Sequence, residues 1–404
     1  MESSVANRNK PLAAKVVEFL SGYALACILM LLLLVLTWLG TLEQVDRGLF
    51  VTVKKYFSYE TFFLFPEIKG KLVPLPLPSA FWVGAVFFVN LALGTILRVR
   101  KGWKTIGVLI AHGGMLFLLL GAFVTQVFSE RGNMAITEGE VSNVAQHYFD
   151  HVIEVTEIAD GKPAKVHVIA TRHLEDLQPD DERLFKMANL PFDLAVSGYR
   201  VNARPVSVSQ GARGPAEEVI DGFFLQAREP EVEAERNMPG AVVEVRAKDG
   251  TPGERFLLST ASFHPATLEI DGKLYALNLR KALWKMPFTV ALDNFTHEFH
   301  PGTMRPKRFE SEIRRIQDGR EEPVLIKMND PMRRQGFTFF QASWGPQNAA
   351  PGDTLFSVFE VVRNPADKWP EWSLYVTGVG LLVHFLMKLV LFITNQPKRR
   401  VRAS

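Results

Sequence analysis

Two histidines lie inside runs that are otherwise apolar. His112 sits in WKTIGVLIAHGGMLFLLLGAFVTQVF (103–128) and His384 in WSLYVTGVGLLVHFLMKLVLFIT (372–394). Hydrocarbon offers nothing to the ring nitrogens of an imidazole, so each histidine is a functional candidate by default. A metal removes that cost by taking the lone pair. Two imidazoles at one depth on facing helices can hold a haem iron from both sides. Counted from Trp103, His112 lies nine residues in, or about 13–14 Å. Counted back from Thr394, His384 lies ten residues in, or about 15 Å. On antiparallel helices this predicts a common level and a bis-histidine site for a non-covalent b-type haem. Two other readings fit the same residues: another functional role, or a plain hydrogen bond to a neighbouring helix or polar cavity.

Helix phase adds detail. Thr377, Gly380 and Lys388 fall on the His384 face. Gly380 would let a flat macrocycle approach the backbone. Lys388 could meet a propionate, or could simply snorkel towards headgroups. On the other run Gly107, Gly114 and Gly121 recur every seven residues, on the face roughly opposite His112. Such a stripe predicts a close helix-packing seam.

Other chemistry is sparse. Cys27 is the single cysteine and there is no C-x-x-C-H, which excludes a disulfide framework, CxxC redox chemistry and covalent haem attachment within the chain. His297 and His300 stand in THEFHP, one residue short of the H-E-x-x-H zinc motif. On a strand they would point to opposite faces. His147 and His151 could share a face, although such a pair is more often surface than ligand. His167, His173 and His264 join no constellation. Neither a Ser/His/Asp arrangement nor a glycine-rich phosphate loop is found, so no catalytic residue is assigned.

The elements that must position the two histidines follow from hydropathy. A mean hydropathy of +0.06 is high for a soluble chain and low for a purely membranous one, which predicts a few spans plus a large water-exposed region. Spans are expected at 19–42, 80–97, 103–128 and 372–394, each long enough for about 30 Å of hydrocarbon. Around them lie a tail (1–18), a connector crowded with aromatics (43–79), a short loop (98–102), a large domain (129–371) and a second tail (395–404). Arg98, Arg100, Lys101 and Lys104, and the tail residues Lys398, Arg399, Arg400 and Arg402, are basic clusters without acids. The positive-inside rule puts them, and both termini, in the cytoplasm. The connector and the large domain then lie outside. Topology fully accounts for these clusters, so no nucleic-acid partner is expected.

The large domain reads as mainly β. Alternating runs occur at 151–158, 241–247, 267–277, 288–295, 323–329, 336–344 and 355–362. Asp271-Gly272, within the run 267–277, signals a type I′ hairpin between its two halves. Residues 174–190 are the best helical candidate, and 206–240 read as a long surface excursion. LPFDLAVSGYRVNARP (190–205) echoes MPFTVALDNFTHEFHP (286–301), as chance between two β segments or as a duplicated unit giving two lobes.

Several strings, in this order and spacing, resemble the ResB-type proteins of the system II cytochrome c maturation pathway. They are GTLEQVDRGLFVTVKKYF (40–57), LPLPSAFWVGAVFFVNLAL (75–93), IAHGGMLFLLLGAF (110–123) followed by RGNMAITEGE (131–140), the stretch from Phe295 to Ile313 containing PGTMRPKRFESEI, and IKMNDPMRRQGFTFFQASW (326–344). Residues 160–285 carry no such match. The resemblance implies three spans, an outer domain and a fourth span in a bacterial cytoplasmic membrane. It implies a CcsA-type partner, with which the chain handles haem and presents it to apocytochrome c outside. Membrane histidines on haem would fall on His112 and His384. Alone, the chain would be part of a haem-attachment complex rather than an enzyme. Two alternatives stand beside this: a membrane-anchored β scaffold without cofactor, and a b-type haem electron-transfer subunit. Two intramembrane histidines suffice for one bis-histidine site and not for a series of haems across the bilayer.

Overall fold

A computed structural model describes residues 11–68, 70–178, 180–211, 214, 217–303, 305–350 and 352–394. The basic tail at 398–402 lies outside the described residues. The chain forms two compact units, Met1–Ser129 with Asn364–Ser404, and Glu130–Arg363.

The first unit contains four helices long and apolar enough to cross a membrane: Tyr23–Arg47, Ala80–Leu97, Trp103–Phe128 and Trp369–Thr394. They are called the first to fourth span helices below. A separate short helix, Leu12–Leu20, precedes the first. The chain breaks between these two helices, at Ser21 and Gly22, where the last carbonyls of the short helix run out of helical donors. Asn90 of the second span helix, buried at 4% exposure, donates to the carbonyls of Leu20 (2.6 Å) and Gly22 (3.0 Å). Arg98 donates to the Glu18 carbonyl and the Ser21 hydroxyl. The one strongly polar residue of the second span is therefore a clamp on the break.

The first span helix runs on to Arg47 and carries a buried carboxylate, Glu43. It accepts from Lys55 Nζ (2.6 Å), the Tyr56 hydroxyl (2.8 Å) and the Glu67 backbone N–H (3.1 Å). The connector contributes a helix, Leu49–Phe57, and short pairs β1 (Phe63–Leu64) with β4 (Leu77–Pro78) and β2 (Glu67–Ile68) with β3 (Lys71–Leu72). Burial, aided by Glu43, pushes the Tyr56 phenol up. Arg47 holds the Glu67 carboxyl below its ordinary value.

The second unit is mainly β. Its long sheet includes β5 (Glu130–Thr137), β6 (Val141–Ala159), β7 (Lys162–Ala170), β14 (Ala266–Ile270), β15 (Lys273–Phe299), β16 (Pro306–Gln317), β17 (Arg320–Lys327), β18 (Met332–Arg334), β19 (Phe337–Gly345) and β20 (Phe356–Arg363). The path runs β17-β16-β15-β6-β5-β20-β19-β18, with β14 beside β15 and β7 beside β6. A second sheet has the order β13-β12-β9-β8, from β8 (Glu182–Phe185), β9 (Phe192–Arg200), β12 (Gly240–Ala247) and β13 (Pro252–Ser259). The expected alternating runs fall on strands, the run 267–277 being divided between β14 and β15 by a turn. Asp271 and Gly272 both have positive φ, 52° and 72°, as a type I′ turn requires.

One expectation is corrected. Residues 174–190 form no helix. Glu182–Phe185 pairs with β9 instead, with Phe185 turned onto the first core and its neighbour Leu184 exposed, the two-residue period of a strand. Within 206–240 the chain forms a ribbon of β10 (Ala203–Ser207) and β11 (Phe223–Ala227), pinned by Phe224, which is fully buried.

Among the described residues this β unit has two apolar cores. The first gathers Ile153, Val155, Phe192, Leu194, Val196, Tyr199, Val243, Leu277 and Leu279, among others. The second gathers Met134, Ile136, Phe288, Val290, Leu292, Ile313, Phe339 and Phe359. Strands β6 and β15 are long enough to serve both. The echoing segments each lay their apolar residues into a core of their own, Phe192, Leu194 and Val196 in the first, Phe288, Val290 and Leu292 in the second. Each strand is also irregular at the same place. Pairing shifts between Ser197 and Arg200 in one and between Leu292 and Asn294 in the other. An extra residue reverses the in–out alternation, so Tyr199 and Phe295, three positions on rather than two, still face inward.

Around the second core the sheet curls until its ends approach. Arg334 of β18 pairs with Glu322 of β17 at 2.5 Å, and Gln335 donates to Gln317 at 2.8 Å. Side chains, not a backbone ladder, clip this seam. Arg334 and Arg315 pull the Glu322 carboxyl down to about 2.

Candidate functional site

His112 and His384 sit on the third and fourth span helices, and the geometry of that pair decides what they can do together. The glycine stripe packs as its spacing predicts, and its partner is the fourth span helix itself. A methyl group on Gly107 would lie 2.5 Å from the His384 backbone nitrogen and 2.6 Å from the Gly380 carbonyl. One on Gly114 would meet Thr377 and, at 3.0 Å, the Ser373 carbonyl. One on Gly121 would lie 3.2 Å from Trp369. Phe117 stacks on Trp369 with centroids 5.2 Å apart. The helices touch backbone to backbone because no Cβ intervenes on this seam.

This contact corrects the expected common level. Gly107 is level with the turn between Gly380 and His384, whereas Gly114, two residues past His112, is level with the turn between Ser373 and Thr377. Taking His112 as level with Thr377, the two histidines differ by seven residues, or about 10 Å, along the pair. They also differ in direction. His384 lies on the contact face with Thr377 and Gly380. His112 lies about 140–160° around its helix from Gly107 and Gly114, away from the fourth span helix. One iron cannot be shared by His112 and His384 of the same chain in this arrangement. Gly380, expected to leave room for a macrocycle, is instead filled by the Ala111 backbone.

The rings themselves differ. His112 Nδ1 lies 2.8 Å from the Val108 carbonyl. A carbonyl only accepts, so Nδ1 carries the proton, and in the neutral ring Nε2 keeps its lone pair. Fixing one nitrogen on a backbone carbonyl leaves the other ready for a metal. The ring is half-buried, and Phe123, eleven residues on and so on the same face, packs against Gly84, Phe81 and Phe88 of the second span helix. His384 presents the opposite case: its Nδ1 is buried without a partner, and its ring meets Phe385 edge-on at 5.7 Å.

The remaining histidines stay apart. His297 stacks on Trp344, centroids 4.1 Å apart, while His300 lies past the strand end in an exposed turn. His147 pairs with Asp150 at 3.2 Å; His151 is buried. Among the described residues no group of three or more His, Cys, Asp or Glu could hold a metal ion.

Residues 261–360 match the model of the ResB-like family. The resemblance read from the strings is thereby borne out over this stretch. The ResB-like segment runs from just before β14 through most of β20. It contains the strings 295–313 and 326–344 and supplies most strands of the second core. No curated protein matches the chain. Likeness to the ResB-like family over this stretch suggests involvement in cytochrome c biogenesis, and the four helices are long and apolar enough to cross a membrane.

Sequence reasoning missed the Glu43 network, whose signal was available: an acid closing an apolar run inside GTLEQVDRG. It also missed Glu138 of RGNMAITEGE. That carboxylate accepts from the backbone N–H of Phe295 (2.8 Å) and of Leu355 (3.1 Å), tying together two distant strands. Nothing local in the sequence marks the second role.

Proposed function

We propose that the chain is a membrane subunit of a system II cytochrome c maturation complex. Its four apolar helices cross the bacterial cytoplasmic membrane with both termini inside, and residues 129–371 lie outside. There it works with a CcsA-type partner to handle haem, and apocytochrome c, for covalent attachment. The ResB-like match supports the pathway, and the lysine and arginine bias of the loop at 98–104 supports the orientation.

One observation carries the haem reading: His112 is held by the Val108 carbonyl with Nε2 left over, on the face that does not pack on the fourth span helix. His112 thus fits as one axial ligand of a haem shared with a partner. His384 fits as a separate candidate, since its Nδ1 is orphaned in the helix seam. Bound haem would bring the vinyl groups that receive cysteine thiols. This chain's residues would hold and orient it.

Protein purified in mild detergent with its partner should carry a Soret band. His112→Ala should remove most of it and His384→Ala much less. Equal loss in both variants would contradict the separate-site geometry. A colourless complex from haem-replete cells, with both variants maturing cytochromes normally, would leave the scaffold reading in its place. Deleting the gene should abolish all c-type cytochromes; loss of one respiratory activity alone would point to electron transfer.

A further inference from the structure

Strands β6 and β15 pass from one core to the other at a waist where their ladder is irregular. Lys281 pairs with His151, but Leu283 pairs with Gln146, so residues 147–150 of β6 bulge opposite Ala282. His151 stands two residues before Ile153, and Lys281 two after Leu279, both residues of the first core. The two basic side chains thus share one rung on the core-facing side. Directly opposed residues of a ladder hold their Cβ atoms about 5 Å apart. His151 is 5% exposed, and its Nε2 is buried without a partner.

The groups facing this rung are few. From β6, the Phe149 backbone hydrogen-bonds the His151 ring and Asp150 lends a negative charge; Asp150 is engaged by His147. After β7, the Thr171 hydroxyl donates to the His151 carbonyl. From the turn at Ala234–Arg236, the Glu235 carbonyl accepts from Lys281 Nζ at 3.4 Å, and the Glu235 carboxylate is exposed. Among the described residues no carboxylate forms an ion pair with either His151 or Lys281.

We infer that the His151–Lys281 rung is an acid-sensitive latch: with His151 neutral the waist is closed, and protonation places a buried cation opposite the half-buried Lys281 and loosens it. Like charges directly opposite destabilise a ladder, and a buried unpaired charge adds its desolvation cost. The same environment disfavours the charged ring, through burial first and then Lys281. A base whose folded pKa is lowered gives stability that is present above its ordinary value, about 6.5, and lost as pH falls through it.

Hydrogen–deuterium exchange on the full chain in detergent tests this, with rates corrected for intrinsic exchange. Between about pH 8 and pH 5, amides of 146–152 and 279–284 should lose about fivefold protection, with β19 and β20 unchanged. His151→Phe should flatten the response and Lys281→Met should shrink it. A flat wild-type profile, a loss spread evenly over the β unit, or a response that either variant leaves intact would overturn the latch.

Discussion

Gly107 rests against the backbone of His384, leaving no space for a methyl group between them. That contact sets the level of the fourth span helix against the third and, with it, the separation of the two membrane histidines.

Gly107→Ala should therefore push the helices apart, at a cost of about 1–3 kcal/mol for overpacking. Gly113→Ala is the control, since nothing lies within 4 Å of a methyl there. Thermal melts in detergent should separate the two.

Glu43→Ala should destabilise the membrane unit by about 3 kcal/mol, because it strands the Tyr56 hydroxyl and the Glu67 N–H and leaves Lys55 only its 3.7 Å pairing with Glu67. Tyr56→Phe, which removes one hydrogen bond, should cost about 1 kcal/mol. The difference in melting temperature between the two variants checks the ranking.

Glu138→Ala should cost about 1–3 kcal/mol by orphaning the N–H groups of Phe295 and Leu355. Glu138→Gln keeps one side-chain oxygen as acceptor and should lose less. Denaturant midpoints followed by tryptophan fluorescence would show this.

The seam clip should be acid-labile. The folded value of Glu322, about 2, lies below its ordinary value of 4.5. Its contribution is therefore full above the ordinary carboxylate range and lost as pH falls from there towards 2. Wild type and Glu322→Gln should differ in stability at neutral pH and converge in acid. Parallel curves across that range would contradict the clip.

The sequence by itself determined the four span helices and the strands of its strongest alternating runs. Apolar runs of sufficient length specify the four helices, period-two alternation specifies the strands, and Asp271-Gly272 specifies its hairpin, because each signal is local. Spacing of Gly107, Gly114 and Gly121 likewise marked a packing seam. What spacing could not say is which helix fills that seam. Counting from span ends put His112 and His384 at one level, yet the register of two apolar helices is set by backbone contact at glycines, not by where their apolar runs begin. The partners of Glu138 and the rung joining His151 to Lys281 were equally invisible. Both depend on strand register across more than a hundred residues, which only the folded sheet decides.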